Sequence, residues 1–195
     1  GASATMADKN AGAGKVVTVG GLSLGGADAG NYTVTNGSGL TVNIAQRGLV
    51  PTLAITDKVY DGNTGARITL GDNRVAGDSL TLTAAAANYA DRNAGNGIAV
   101  SVTGLTAAGA DASNYVLSTQ SFNTAANILP APLTVVALSQ NKVYGNALAF
   151  SGTEFSTTGL VMGETLGQVA LSSAGASASA SVSATPYAIN VSAAA

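Results

Sequence analysis

The sequence predicts an all-β chain, a row of small Ig-like β-sandwich modules of about 84 residues each. Three observations predict it. Apolar and polar residues alternate with a period of two in short runs. Gly/Asn/Asp clusters punctuate those runs every 8 to 12 residues. The chain also repeats itself: Ala7–Val34 and Ala90–Leu117 share 16 of 28 positions at a constant offset of 83, and Lys58-Val-Tyr60 recurs as Lys142-Val-Tyr144 at an offset of 84. Composition alone would align Ala and Gly. It would not align Asp8, Asn10, Leu22, Asp28, Asn31 and Tyr32 with Asp91, Asn93, Leu105, Asp111, Asn114 and Tyr115. A parallel β-solenoid is the alternative, and its period would be 20 to 30 residues rather than about 84.

The first expected strand, Lys15–Val19, is β-branched and follows an Ala/Gly run. Tyr32 and Val34, then Leu40, Val42 and Ile44, alternate with polar residues on either side of Asn36-Gly37, which predicts a hairpin because Asn-Gly accepts the positive φ of a primed turn. Leu49–Ile55, Arg67–Leu70, Leu80–Thr83, Ile98–Thr103, Tyr115–Thr119, Leu133–Leu138, Val169–Ser172 and Tyr187–Val191 follow as strands by the same alternation. Ala84–Ala87 has helical composition, but four residues cannot sustain a helix, and it reads as strand edge or loop.

The two offsets divide the chain. Residues 1–47 correspond to the second half of a module, 48–131 to a complete one, and 132–195 to a shorter, divergent third. Short connections fall near Gln46–Pro51 and Pro130–Pro132. Because 1–47 lacks a counterpart of Leu49–Leu82, its sheet is expected to end in unpaired edges with an uncovered apolar face around Val17, Val19, Tyr32 and Val34. Two explanations stay open: an excerpt of a longer array, or completion by strand exchange from a neighbouring subunit in a filament.

Composition narrows function. Charged residues are 9% of the 195, eight basic against ten acidic, for a net charge of −2. No basic footprint for nucleic acid is present. The chain has no Cys, His or Trp, which removes thiol nucleophiles, disulfides, imidazole bases and the common zinc ligands together. No run of 18 apolar residues suggests a membrane span. No catalytic residue and no organic cofactor is expected.

The motifs then point to a family. Lys58-Val-Tyr-Asp-Gly-Asn-Thr64, Gly77-Asp78, Ala90-Asp-Arg-Asn-Ala-Gly95, Gly109-Ala-Asp-Ala-Ser-Asn-Tyr115 and Ile128-Leu-Pro-Ala-Pro-Leu133 together resemble the YDG repeat domain. Lys142-Val-Tyr-Gly-Asn146, without the Asp, is similar to the sister MBG type; the third module has no Gly-Ala-Asp…Asn-Tyr segment. The resemblance implies tandem modules in very large secreted bacterial surface proteins similar to filamentous haemagglutinins and other adhesins. It implies a non-catalytic spacer, stalk or fibre-forming role at the cell surface, with neighbouring modules as partners and no residue to carry over as a binding site. A carbohydrate- or receptor-binding adhesin domain is the rival.

Among individual residues, calcium is the one cation the loops suggest, because oxygen-rich Asp/Asn/Gly loops bind hard cations between extracellular modules. Asp72 and Asp78 in Gly71–Asp78 are the first candidates, although Arg74 between them opposes a cation. The competing reading is that Asp in such loops caps turns with its side-chain oxygen. Tyr32 with Tyr115, Tyr60 with Tyr144, Asp28 with Asp111 and Asn31 with Asn114 are structural repeat positions. Each Tyr ring is expected to pack within its module with its hydroxyl on a backbone partner.

Overall fold

The computed structural model describes residues 2–161 and 163–192. It is built almost wholly from strands: β1 Ser3–Met6, β2 Gly12–Gly20, β3 Thr41–Ile44, β4 Arg47–Leu49, β5 Pro51–Thr56, β6 Lys58–Val59, β7 Arg67–Asp72, β8 Thr81–Thr83, β9 Ala86–Tyr89, β10 Gly95–Thr103, β11 Thr106–Ala108, β12 Tyr115–Leu117, β13 Ser121–Leu129, β14 Thr134–Ala137, β15 Phe155–Thr158, β16 Ala170–Ser172 and β17 Asn190–Ser192. Short 3-10 turns at Ala29–Asn31, Ala112–Asn114 and Ala174–Ala176 are the helical elements among the described residues. None of these is long and apolar enough to cross a membrane.

The all-β expectation is what the structure has, and its small sheets are not the stacked coils of a solenoid. Its strands pair in short, mostly two-stranded ladders, and two of the pairings are parallel.

Two compact units are formed. The first holds the residues up to Asp57, with Thr64–Asp91 and Gly97–Ala126. In it β1, β2 and β3 make an antiparallel sheet, with a bulge between Gly12 and Lys15. β5 pairs antiparallel with β7 over six residues from Pro51↔Asp72 to Thr56↔Arg67. β8 pairs with β11, β9 with β10, and β4 with β12 in parallel. The period-two pattern buries one face: Val100 and Val102 are buried while Ser101 between them is exposed. Leu49, Leu80 and Tyr115 form the core cluster, flanked by Leu82, Ala107, Ala112 and Leu117. The first 47 residues therefore share a compact unit with most, though not all, of 48–131. Their apolar surface is open as expected: Met6, Val16, Leu22, Leu24, Tyr32, Val34, Leu40 and Val42 are exposed, although Val17 and Val19 are half-buried.

The Asn36-Gly37 hairpin does not form. Gly39, not Gly37, takes the positive φ (+79°), and the Tyr32–Val34 arm is not a strand. The other arm pairs with β2 instead, starting where the Val17 amide donates to the Leu40 carbonyl at 2.9 Å. A long β-branched partner beat the local turn.

The second unit holds Lys58–Asn63, Arg92–Asn96 and the residues from Asn127 onward. β6 runs parallel to the end of β13, Lys58 opposite Ile128, and the Tyr60 amide extends that ladder to the Leu129 carbonyl at 2.8 Å. β14–β15 and β16–β17 are antiparallel pairs. The tail that alternates Ser and Ala is turned at Ala174–Ala176 by Ser173, whose hydroxyl oxygen accepts from the Gly175 amide.

Candidate functional site

The chemistry-bearing side chains gather at two places, one in each unit. In the first, the turn after β7 brings the Asp78 amide back to the Val75 carbonyl at 3.1 Å. The buried Tyr115 hydroxyl lies against this turn, donating to Asp78 Oδ2 at 2.6 Å and accepting from the Val75 amide at 2.9 Å. Asp111 joins the same cluster: Oδ2 accepts from the Ser79 amide at 2.8 Å, and its own amide donates to the Ser79 carbonyl at 3.1 Å. That close crossing needs Gly109, whose φ is +129° and whose place leaves no room for a Cβ, which would stand 2.6 Å from the Ser79 oxygen.

Residues of the preceding half-module complete the cluster. The Lys9 ammonium sits 2.5 Å from Asp78 Oδ1 and 3.0 Å from Asp111 Oδ1. Asn114 donates from Nδ2 to Asn10 Oδ1 at 3.0 Å and accepts from the Ala11 amide at 2.8 Å, while Gln46 Nε2 donates to the Ser113 carbonyl at 2.9 Å. The Lys9 ammonium, then the Tyr115 hydroxyl, hold the Asp78 carboxyl below the usual carboxylate range. The Ser79 amide, then Lys9, do the same for Asp111. Asp78 in turn, with burial second, raises the Tyr115 phenol.

Asp72, the other calcium candidate, is not beside Asp78 in this cluster. Its carboxylate is clamped by Arg74, through Nε at 2.8 Å and Nη2 at 2.5 Å, and accepts the Arg74 amide at 3.0 Å. The guanidinium holds its carboxyl below the usual range. Both oxygens that calcium would use are thus already on a cationic or phenolic donor. No cluster of three or more acidic side chains that could hold a metal exists among the described residues.

The repeat positions separate into engaged and idle. Asp28 and Asp111 open 3-10 turns with nearly the same backbone angles, φ −99° in both, and neither caps its turn through its side chain. Capping by Asp occurs elsewhere: Asp8, Asp61 and Asp72 accept the amides of Asn10, Asn63 and Arg74. Tyr115 packs as expected, but Tyr32 is 72% exposed and Tyr144 67%. Tyr32 lacks the elements that cover Tyr115, since 1–47 contains no counterpart of the turn at Val75–Ser79. For Tyr60, half-buried, the hydroxyl donates to Glu164, a side chain rather than the backbone partner expected.

That bond belongs to the second place, the loop at Lys58–Asn63. Lys58 is 7% exposed, and its ammonium reaches Asp61 Oδ1 at 2.7 Å, the Asn63 carbonyl at 2.6 Å and Asn63 Oδ1 at 3.1 Å. Gly62, at φ +76°, lets the chain curl around the cation. The Lys58-Val-Tyr-Asp-Gly-Asn63 string is thus a lysine clasped by its own loop. In the third module, where the Asp is missing, Lys142 donates to the Asn146 carbonyl at 3.0 Å and to the Ser177 carbonyl at 2.5 Å instead.

A family model described as the YDG domain matches residues 1–39 and 46–122. The chain belongs to the YDG domain family. A second model, the MBG domain of YGX type, matches residues 133–195. Comparison with curated proteins and with solved structures gives no match. The motif residues of the YDG repeats thereby acquire roles: Lys58, Asp61, Gly62 and Asn63 close a loop, while Asp78, Asp111, Asn114 and Tyr115 fix a turn and receive the preceding half-repeat. Lys9 was missed from sequence as a participant. Its signal was the basic residue retained at the same repeat position, Arg92.

Proposed function

We propose that this chain is a stretch of repeat array from a large extracellular bacterial adhesin, stalk or filament, and that it serves as a non-catalytic spacer or fibre-forming segment. The observation that carries this reading is the network of Lys9, Asn10 and Ala11 on Asp78, Asp111 and Asn114. Asn10, Asp111 and Asn114, at recurring positions, join Lys9 and Asp78 in fastening residues 1–47 to the repeat that follows, and a fastener suits an element that transmits load. Its partners are neighbouring repeats of the same chain or identical subunits; nucleic acid and membrane insertion are outside the proposal. Single-molecule extension of the chain between two handles tests it. A spacer lengthens in discrete steps whose force falls when Lys9 is replaced by Met, and unchanged unfolding force in that variant would count against the reading.

One observation favours a second reading as a carbohydrate-binding module. A cleft of about 370 Å³ in the MBG part is lined by Tyr144, Phe150 and Tyr187 with Asn141 and Lys142. Aromatic faces beside amide and ammonium donors suit a sugar ring. A glycan array probed with the whole chain and with Tyr187→Ala separates the two: a defined sugar retained by the first and lost by the second would put binding ahead of spacing.

A further inference from the structure

In the second unit a clasped loop is seated on a turn. The turn is Val161–Glu164, where the Glu164 amide donates to the Val161 carbonyl at 3.0 Å. The loop is Lys58–Asn63: Tyr60 donates to Glu164, and Gly62 lies so close that a Cβ there would be 2.9 Å from Val161 Cγ1. Asn93 and Ala94 line the same small cavity of about 270 Å³ with Tyr60, Val161 and Glu164.

The first unit has the same turn under a related sequence. Val75-Ala-Gly-Asp78 matches Val161-Met-Gly-Glu164, and the Asp78 amide donates to the Val75 carbonyl at 3.1 Å. Lys9, Asn10 and Ala11 stand at its border, the repeat counterparts of Arg92, Asn93 and Ala94. What this turn does not have is a clasped loop upon it, and Val75 is 48% exposed whereas Val161 is half-buried. The third module carries a second such loop, fastened by Lys142 to the Ser177 carbonyl at 2.5 Å, where the Ser177–Ala180 turn begins, and no acidic side chain meets its tyrosine among the described residues. Lys142 clasps Asn146, Gly145 takes φ +87° as Gly62 takes +76°, and Val143 and Tyr144 stand 71% and 67% exposed.

We propose that the Lys142–Asn146 loop of one copy of this chain docks on the Val75–Asp78 turn of a second copy, repeating between molecules the seat that Lys58–Asn63 takes on Val161–Glu164. Tyr144 would lie along Val75 with its hydroxyl toward the Asp78 carboxylate, whose two oxygens hold Lys9 and Tyr115 and keep lone pairs for another donor. Donor and acceptor surfaces differ, so the contact is heterologous and propagates head to tail. This inference deepens the fibre-forming, identical-subunit side of the proposed function and does not depend on its extracellular placement or on load bearing, which the extension experiment tests separately.

Sedimentation of the whole chain from about 10 µM to about 1 mM, the range of a small interface, tests it. Wild type is expected to associate progressively. Tyr144→Ser, with its loop disabled, and Val75→Glu, with its turn disabled, are each expected to stay monomeric, their association weakened at least about tenfold. Mixed one to one, they are expected to form a heterodimer and no larger species, because only one good loop and one good turn remain. Both side chains are exposed, and unchanged circular dichroism verifies that the variants fold. A wild type that is monomeric throughout, and so leaves a preceding repeat as the occupant of the turn, would overturn the proposal. Association that survives either substitution would overturn it too, as would a mixture that stays monomeric.

Discussion

Gly26 and Gly109 occupy the same place in two copies of one motif, and substituting Ala at each isolates what the surroundings add. Both glycines take positive φ, +111° and +129°. A residue with a Cβ held in such a conformation costs about 1–3 kcal/mol, and both variants bear that cost. Around Gly26 an added Cβ meets nothing within 4 Å, whereas at Gly109 it meets the Ser79 oxygen at 2.6 Å and Leu80 Cα at 2.8 Å. Backbone cannot rotate aside as a side chain can. Either β8 and β11 part or the Asp111–Ser79 crossing opens, and overpacking of this kind adds about 1–3 kcal/mol. With a urea slope of about 2 kcal/mol per M, Gly109→Ala should lower the unfolding midpoint by about 0.5–1.5 M more than Gly26→Ala does. Equilibrium urea unfolding followed by circular dichroism reads the difference, with the slope checked for constancy. Equal midpoints in the two variants would refute the idea that the second copy of the motif is locked by its neighbour while the first is not.

The same contrast should hold for the phenols: Tyr115→Phe lowers the thermal midpoint by removing two hydrogen bonds, and Tyr32→Phe leaves it unchanged, as scanning calorimetry would register. Asp61, Asp72, Asp78 and Asp111 all have folded carboxyl groups held below the usual value, and Glu154 is brought down to about 2 by the Ser151 hydroxyl and amide. The unfolded chain therefore binds more protons, so their stabilisation is full above the ordinary carboxylate pKa and is lost as pH falls below about 4; a flat thermal midpoint between pH 7 and pH 5 with a steep fall below 4 is the expected profile, shallower in Lys9→Met. At the other extreme Tyr60 and Tyr115, raised by Glu164 and Asp78, contribute stability that disappears as pH climbs above about 10. Melting in EDTA and in millimolar calcium is expected to coincide; a large rise with calcium would mean an ion binding the native state and would put Asp72 and Asp78 first as ligands.

Local signals were legible in the sequence wherever the structure is locally determined. The period-two runs at Lys15–Val19, Arg67–Leu70 and Ile98–Thr103 became β2, β7 and β10, and the two Gly-Ala-Asp motifs became 3-10 turns of one shape despite different surroundings. Pairing was not legible, since the parallel partners β4 with β12 and β6 with β13 lie about 70 residues apart along the chain and nothing in either strand names the other. Tyr32 and Tyr115 are the plainest case. Their sequence contexts match, but exposure is decided by whether the Val75–Ser79 turn is at hand. The clasp of Lys58 escaped notice because a lysine in a turn reads as solvated, and only its three oxygen partners explain why it is buried.

The junction at Lys9 also sets a schedule for folding. Its partners Asp78 and Asp111 lie 69 and 102 residues further along, and Asn114 is 104 beyond Asn10. A chain emerging from its N-terminus at about 5–20 residues per second must wait on the order of 5–20 seconds between the appearance of Asn10 and that of Asn114. During that interval residues 1–47 can form their own β1–β2–β3 pairs but not the bonds from Lys9, Asn10 and Ala11. The junction is therefore the last part of this unit to close, after the local ladders on either side of it have had time to form.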